Sequence, residues 1–468
     1  MSEFKQLIGG KLVDGAREMD VVNPATDRPF AKCPVADEAQ LNEAVAAAKA
    51  AFPAWAAKSQ DERAELITQL ADALAEQSAD LSRLLTSEQG KPLNQAGMEL
   101  MICGFTLKAF AAMRIEPRAI QENEKSKVYE IRKPLGVVAA ITPWNFPLMM
   151  VVHKLAPALL AGNTIVIKPA ATTPLTTLKV GELCQKIFPA GVVNVICDKN
   201  DLGDKLTSHP DVDKITFTGS TATGKKVMEA ASRAVKRVTL ELGGNDAAIV
   251  LDDVDPVETA QKIFQAAMAN AGQVCLAVKR AYVPSAIYDA FCDELARLAG
   301  EAVVDEGTQQ GAQIGPVQNK MQYEKLKGLL DSARTEGKII AGGNAMDRDG
   351  YFIEPTIVRD VDDSARIVRE EQFGPVLPVI RYDEIEDVLA RANDSDYGLG
   401  GSVWGTDIER ATKIAERVQS GTVWVNQHMG LAPNIPFRGA KQSGMGTELG
   451  QEGLNEFTQA TVVNIKLG

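Results

Sequence analysis

Histidine is nearly missing from this chain: three occur in 468 residues, His153, His209 and His428, far apart. A histidine-built metal centre or a Ser-His-Asp relay would have to be assembled from isolated pieces, so no metal is expected. Cysteine is sparse, at Cys33, Cys103, Cys184, Cys197, Cys275 and Cys292, with no C-x-x-C pair. That scatter excludes zinc-type spacing and points to free thiols in a reducing, cytoplasmic compartment. Positive charge is outnumbered, 50 Lys and Arg against 62 Asp and Glu, for a net charge of −12. An acidic surface repels phosphate backbones and anionic lipid, so neither nucleic acid nor membrane is an expected partner. Long apolar runs are absent too. The longest, Leu148 to Ala161, is broken by His153 and Lys154 and is too short for a membrane span. The start, Met1-Ser2-Glu3-Phe4-Lys5, has no apolar run behind a basic segment, so no secretory leader is expected. What remains is ordinary globular composition, 45% apolar and 24% charged, over a length that suggests two or three domains.

Residues 7–30 read as two short β pieces around Gly9-Gly10 and Asp14-Gly15, ending in Asn23-Pro24-Ala25-Thr26. Residues 37–115 read as successive helices. Leu41, Ala44, Val45, Ala48 and Phe52 recur at helical spacing, and Ser59-Gln60-Asp61-Glu62 offers a capped helix start. From 137 strands and helices alternate. Strand-like runs are Val137–Ile141, Thr164–Ile167, Val192–Cys197, Lys214–Phe217 and Val238–Leu242, with helices near 149–161, 175–188 and 222–235. Apolar strands separated by helices predict a parallel sheet buried on both faces, a doubly wound, Rossmann-like α/β domain. A second series has strands at Ala247–Leu251, Ala281–Val283, Val376–Ile380 and Thr422–Val425, with helices near 256–269, 286–300, 318–336, 384–393 and 408–418. It reads as a separate catalytic domain.

Four places suggest chemistry. Thr218-Gly219-Ser220, followed through Thr223-Gly224, turns a strand into a helix whose free N–H groups suit a pyrophosphate. Cys275 follows Ala271-Gly272-Gln273, a permissive bend whose backbone N–H groups can hold a thiolate and an oxyanion. From spacing alone it is as readily a core thiol as a nucleophile. Glu241 stands 34 positions earlier, between Leu240 and Leu242, where lost hydration would raise its pKa and suit it to general-base work. Asn145, in Pro143-Trp144-Asn145-Phe146-Pro147, can donate to an oxyanion, and Lys168 ends a strand at the ligand-facing edge of the sheet.

Together these runs, with Ile167-Lys168-Pro169, Glu371-Gln372-Phe373-Gly374-Pro375 and Pro436–Gly450, resemble the aldehyde dehydrogenase superfamily over almost the whole chain. The resemblance implies an α/β fold in three parts: an NAD(P)-binding domain (1–116 and 134–242), a catalytic domain (243–440) and a small β oligomerisation arm (117–133 and 455–468). It implies a homodimer or homotetramer. It implies that Cys275 attacks an aldehyde, that Asn145 and the Cys275 N–H hold the oxyanion, and that Glu241 activates water against the thioester. NAD or NADP would lie against Ile141, Thr142, Trp144, Lys168, Ala171, Gly203, Gly219, Ser220, Thr223, Leu242, Glu371 and Phe373. The substrate would meet Phe146, Met149, His153, Val274, Leu276, Met429, Leu431 and Phe437, with Ala269 beside them.

Three departures bear on specificity. Ala171 stands where many NAD-preferring relatives place a ribose-binding glutamate, which leaves both NAD and NADP open. Arg438 replaces a glycine in the motif Pro436-Phe437-Arg438-Gly439, as a subunit contact or a substrate-carboxylate anchor. Ala269, Met429 and Leu431 replace bulkier residues, and a methionine-lined tunnel adapts to varied shapes. The expected reaction is oxidation of a medium or large apolar or aromatic aldehyde to its carboxylate. A semialdehyde dehydrogenase acting on a carboxylate-bearing aldehyde, with Arg438 as anchor, is the alternative. The presence of Glu241 argues against a coenzyme A-acylating enzyme, and Cys275, Glu241 and Asn145 together argue against a catalytically silent homologue.

Overall fold

The computed structural model describes residues 3–467; the expected domain limits at 1–2 and 468 lie outside the described residues. The chain opens with two hairpins, β1 (Gln6–Ile8) with β2 (Lys11–Val13), then β3 (Arg17–Asn23) with β4 (Arg28–Val35). Helices α1 (Glu38–Ala56), α2 (Gln60–Glu76), α3 (Ser78–Gln89) and α4 (Leu93–Ala112) follow. Ser59 starts α2 with a reciprocal cap, its hydroxyl accepting from the Glu62 N–H while the Glu62 carboxylate accepts from the Ser59 N–H.

After the hairpin β5 (Arg118–Asn123) and β6 (Ser126–Pro134) come β7 (Val137–Ile141), α5 (Pro147–Leu160), β8 (Thr164–Lys168) and α6 (Leu175–Ile187). Then follow β9 (Val193–Val195), α7 (Gly203–Ser208), β10 (Lys214–Thr218), α8 (Thr221–Ser232) and β11 (Arg237–Glu241). Strands β7, β8, β9 and β10 are buried at every position, as their unbroken apolar runs require of a sheet covered on both faces.

The second series runs β12 (Asp246–Val250), α9 (Pro256–Met268), β13 (Val278–Pro284), α10 (Tyr288–Glu301), α11 (Lys320–Glu336) and β14 (Lys338–Ala341). It continues with β15 (Thr356–Arg359), α12 (Arg366–Arg369), β16 (Val376–Tyr382), α13 (Ile385–Asn393), β17 (Tyr397–Gly398), β18 (Gly400–Trp404), α14 (Ile408–Ala415) and β19 (Thr422–Val425). Last come β20 (Ala440–Lys441), β21 (Gly444–Met445), α15 (Gly450–Asn455) and β22 (Thr458–Lys466).

Two large sheets result. The first has the order β2-β1-β9-β8-β7-β10-β11-β21, parallel from β9 to β11. Its order reverses between β7 and β10, and ligands of such sheets bind beyond the strand ends at that switch point. The second has the order β14-β15-β16-β13-β12-β18-β19, parallel except at β14. A third, antiparallel sheet, β22-β6-β5, stands apart, with most of its side chains exposed or half-exposed. The second sheet contains three strands, β14, β15 and β18, that sequence periodicity does not reveal. After β19 the chain returns to the first sheet, where β21 pairs with β11, setting Gly444 opposite Glu241.

Candidate active site

The turn from β7 to α5 carries Asn145. Helix α5 has proline at its start and no cap of its own. Glu99 of α4 supplies one: its Oε1 accepts from the N–H groups of Leu148 (3.0 Å) and Met149 (3.1 Å). Its Oε2 accepts from Lys91 Nζ at 2.5 Å, and Lys91 also donates to the Asn145 carbonyl at 2.9 Å. Both members of this pair are fully buried. The Asn145 side-chain Nδ2 donates to the Gln273 carbonyl at 2.9 Å. An amide has two N–H donors, so the second is free for another acceptor.

Gln273 lies in the bend that presents Cys275. Asn270, Ala271 and Gly272 have φ of 50°, 55° and 69°, three left-handed residues in succession. Glycine is required at the third, because a Cβ on Gly272 would lie 2.0 Å from the Gly374 oxygen. Lys279 Nζ donates to the Gly272 carbonyl at 2.7 Å. His428 fixes the far side, with Nε2 at 2.7 Å from the Leu276 oxygen and Nδ1 at 2.9 Å from Ser402 Oγ. A carbonyl only accepts, so Nε2 carries the proton. Met429, packed against the apolar cluster, and Phe373, packed against Trp144, also have left-handed backbones. Such strain persists only where the surroundings enforce it. Cys275 itself is half-buried. Burial pushes its thiol up, as do the carboxylates of Glu371, Glu241 and Asp246, and Lys279 offsets this only in part.

Glu241 ends β11. It is buried, and neither carboxylate oxygen has a hydrogen-bond partner. Burial raises its pKa well above the usual carboxylate range; Glu448 adds to the rise and Lys154 opposes it. Lys154 Nζ donates to Glu448 Oε1 at 2.5 Å and to Thr218 Oγ1 at 2.6 Å. His153 Nδ1 lies 3.8 Å from Glu448 Oε2. Burial alone would raise the Glu448 carboxyl, but Lys154 and His153 outweigh it and hold it at about 2. Of two nearby carboxyls, Glu448 keeps its charge and Glu241 is poised to take a proton.

Around the switch point, Ile141 ends β7 and Thr142 follows it, the Thr142 N–H donating to the Lys168 carbonyl at 3.1 Å. Gly219 follows β10. Ser220 caps α8, its hydroxyl accepting from the Thr223 N–H at 3.3 Å. A cavity of about 360 Å3 opens there, lined by Ser220, Thr221 and Ala222 on one side and by Asn245, Arg280, Lys325, Glu371 and Tyr397 on the other. Asn245 Oδ1 is buried without a partner beside it. Glu371 Oε1 accepts from the Gly244 N–H at 2.9 Å. Trp144 and Phe373 pack edge to face, centroids 5.2 Å apart. Leu242 packs under Gly224, at the base of α8. Donors at a helix start, next to a carboxylate and an aromatic pair, fit a dinucleotide. Ala171 is half-buried in the turn after β8 and Gly203 begins α7; neither lines that cavity. Lys168 makes a buried ion pair with Asp198 at 2.7 Å.

Val274, Leu276 and Phe437 belong to one apolar cluster, against which Phe146, Met149, Ala269, Cys275, Met429 and Leu431 pack. His153 is buried against Glu448 rather than standing free, and Arg438 is exposed.

A doubly wound sheet, an anion-ready helix start, a half-buried thiol and a desolvated carboxylate define a dinucleotide-dependent oxidoreductase. Comparison with known proteins narrows this. The model of the family "Aldehyde dehydrogenase family" matches residues 12–463, and the chain belongs to that family. It is therefore an enzyme that oxidises an aldehyde with NAD or NADP. It is 41% identical over 456 residues to "Retinaldehyde dehydrogenase 3" of Homo sapiens, covering 95% of this chain and 89% of that one. An NAD+ complex of aldehyde dehydrogenase from Bacillus cereus matches with a TM-score of 0.97 at 36% identity, covering 100% and 97% of the two chains. An "E. coli NADP dependent enzyme" matches with a TM-score of 0.97 at 35% identity, covering 100% and 98%.

Sequence reasoning missed the residues that hold these groups in place. Lys154 left a trace, a cation interrupting an apolar helix. Glu448, Glu99 and Asp198 left none, because each meets its partner only through the fold.

Proposed function

We propose that this enzyme converts a medium or large uncharged apolar or aromatic aldehyde to its carboxylate through a covalent thioester at Cys275. The observation that carries the reading is Glu241, buried, without hydrogen-bond partners, and close enough to Cys275 to raise its thiol. The Cys275 sulfur, as thiolate, attacks the carbonyl carbon. The free N–H of the Asn145 amide and the Cys275 N–H hold the oxyanion of the thiohemiacetal. A bound nicotinamide ring supplies the hydride acceptor for that carbon. Glu241 then takes a proton from water, the hydroxide adds to the thioester, and the C–S bond breaks to release carboxylate and thiolate. Ser220 and the first turn of α8 hold the pyrophosphate, Glu371 the nicotinamide ribose, and Lys168 the adenosine ribose.

In this reading 1–116 and 134–242 form the dinucleotide domain, 243–440 the catalytic domain, and 117–133 with 455–468 the arm of a homodimer or homotetramer. Its six free thiols suit a cytoplasmic enzyme. No helix among the described residues is long and apolar enough to cross a membrane.

The apolar cluster around Cys275 favours uncharged substrates, as does the name of the retinaldehyde-oxidising relative. The buried cations near it are already committed: Lys154 to Glu448, Lys91 to Glu99, and Lys279 to the Gly272 carbonyl. The test is the rate of NADH and NADPH formation across short aliphatic, long aliphatic, aromatic and carboxylate-bearing aldehydes. Highest kcat/KM for the bulky uncharged members is expected. Preference for the carboxylate-bearing members would overturn the substrate reading and make Arg438 the anchor to replace.

A further inference from the structure

At the turn after β8, Ala171 offers no charge to set NAD against NADP. We propose that the residue that does so is Asp198, just beyond the neighbouring strand, and that it makes the enzyme prefer NAD. This rests on the reading that the dinucleotide crosses the carboxyl edge of the first sheet with its adenosine ribose at Lys168.

Strands β8 and β9 are parallel neighbours, and their ladder continues past β9 through the Ile196 N–H, which donates to the Ile167 carbonyl at 3.0 Å. The next residue is held on both sides. The Cys197 N–H donates to Gln6 Oε1 at 2.9 Å, and its carbonyl accepts from the Ala36 N–H at 2.8 Å. Asp198 therefore emerges at a fixed place, two residues beyond the level at which β8 ends. Its side chain is fully buried. Oδ1 accepts from Lys168 Nζ at 2.7 Å, and Oδ2 accepts from the Leu202 N–H, at the start of α7, at 2.9 Å.

Without Asp198, Lys168 would present an uncompensated cation to the ribose, and a 2′-phosphate would be drawn to it. With Asp198 the ammonium is already neutralised by a carboxylate that cannot turn away. A dianionic phosphate brought to Lys168 meets that carboxylate at close range in a poorly solvated place, where like charges repel strongly. A ribose 2′-hydroxyl carries no charge and meets no such penalty. An acidic group beside the ribose is the usual means of favouring NAD, and here the adjacent strand supplies it.

The experiment compares kcat/KM for NAD and NADP with one good aldehyde, in the wild-type enzyme and in Asp198→Asn, Asp198→Ser and Lys168→Met. Wild type is expected to favour NAD by about tenfold or more, the ratio that a single like-charge contact of ~1.4 kcal/mol produces. Asp198→Asn and Asp198→Ser are expected to raise kcat/KM with NADP by about tenfold, through KM, with a smaller change for NAD. Damage to folding would lower use of both cofactors, so a gain with NADP is not explained by it. Equal or preferential use of NADP by wild type, or an unmoved ratio in folded Asp198 variants, would overturn the inference. Lys168→Met tests the placement beneath it. A higher KM for NAD supports the ribose lying at Lys168, whereas an unchanged KM for both cofactors would remove the site from β8 altogether.

Discussion

In the proposed reaction, two acids with different burial and partners divide the chemistry at residue scale. Cys275 and Glu241 are both displaced upward, so each rests in its protonated form at pH values where an exposed counterpart would have ionised. In the proposed reaction the thioester-forming step needs the thiolate and the hydrolytic step needs the carboxylate, so both steps are expected to accelerate as pH rises. Cys275→Ala is expected to abolish dehydrogenation while dinucleotide binding persists. Glu241→Gln is expected to keep a rapid first turnover, a burst of about one NAD(P)H per active site, and to slow the steady state by at least ~100-fold. The steady-state rate of wild type should climb with pH through a midpoint above the ordinary carboxylate range, and that limb should vanish in Glu241→Gln while the burst keeps its own. Rapid-mixing kinetics across pH checks this. A Glu241→Gln enzyme without a burst would place Glu241 in the first step instead.

Local strain at the element scale holds the thiol in position. Gly272 adopts a positive φ, and a Cβ there would overlap the Gly374 oxygen. Gly300, inside α10, has nothing within 4 Å of the place a Cβ would take. Gly272→Ala is expected to cost on the order of 3 kcal/mol and to remove most activity. Gly300→Ala should stabilise by about 0.5 kcal/mol, since the last turn of α10 gains a better helix former. Urea titrations of both variants test the contrast, and equal effects would refute it. The same physics governs what sequence could tell. β7 and β19 fall at the predicted limits because their apolar runs end where the strands end. β18 hides, because Gly400-Gly401-Ser402 looks like loop. Those small residues are needed there, since a Cβ on Gly400 would lie 2.2 Å from Asp246 Oδ2. Cys275, Glu241 and Asn145 stand in local motifs. The pairs Lys91–Glu99 and Lys154–Glu448 do not, and the second joins residues 294 positions apart.

For the whole molecule, the sheet β22-β6-β5 is the largest of the sheets not absorbed into either large layer. It leaves Ile120, Val462, Ile465 and Leu467 exposed. An open edge with apolar side chains is normally covered, and another subunit is the cover proposed for it. Val462→Asp is expected to shift the enzyme toward smaller assemblies in sedimentation at low micromolar concentration, with the burst of NAD(P)H retained. Unaltered sedimentation would free the arm from that role.

The return of the chain from the second sheet to the first has a consequence for synthesis. Ser443 accepts the Leu242 N–H, Gly444 sits opposite Glu241, Glu448 neutralises Lys154, the Phe457 carbonyl accepts from Asn163, and β22 completes the sheet that β6 began. A ribosome that has delivered residues up to 442 has made every strand of both large layers but β21. Lys154, beside Glu241, is still without its counter-ion, and β11 is still an open edge. Until the final segment emerges, the surroundings of Glu241 are therefore incomplete, with a buried cation unpaired and a strand edge open.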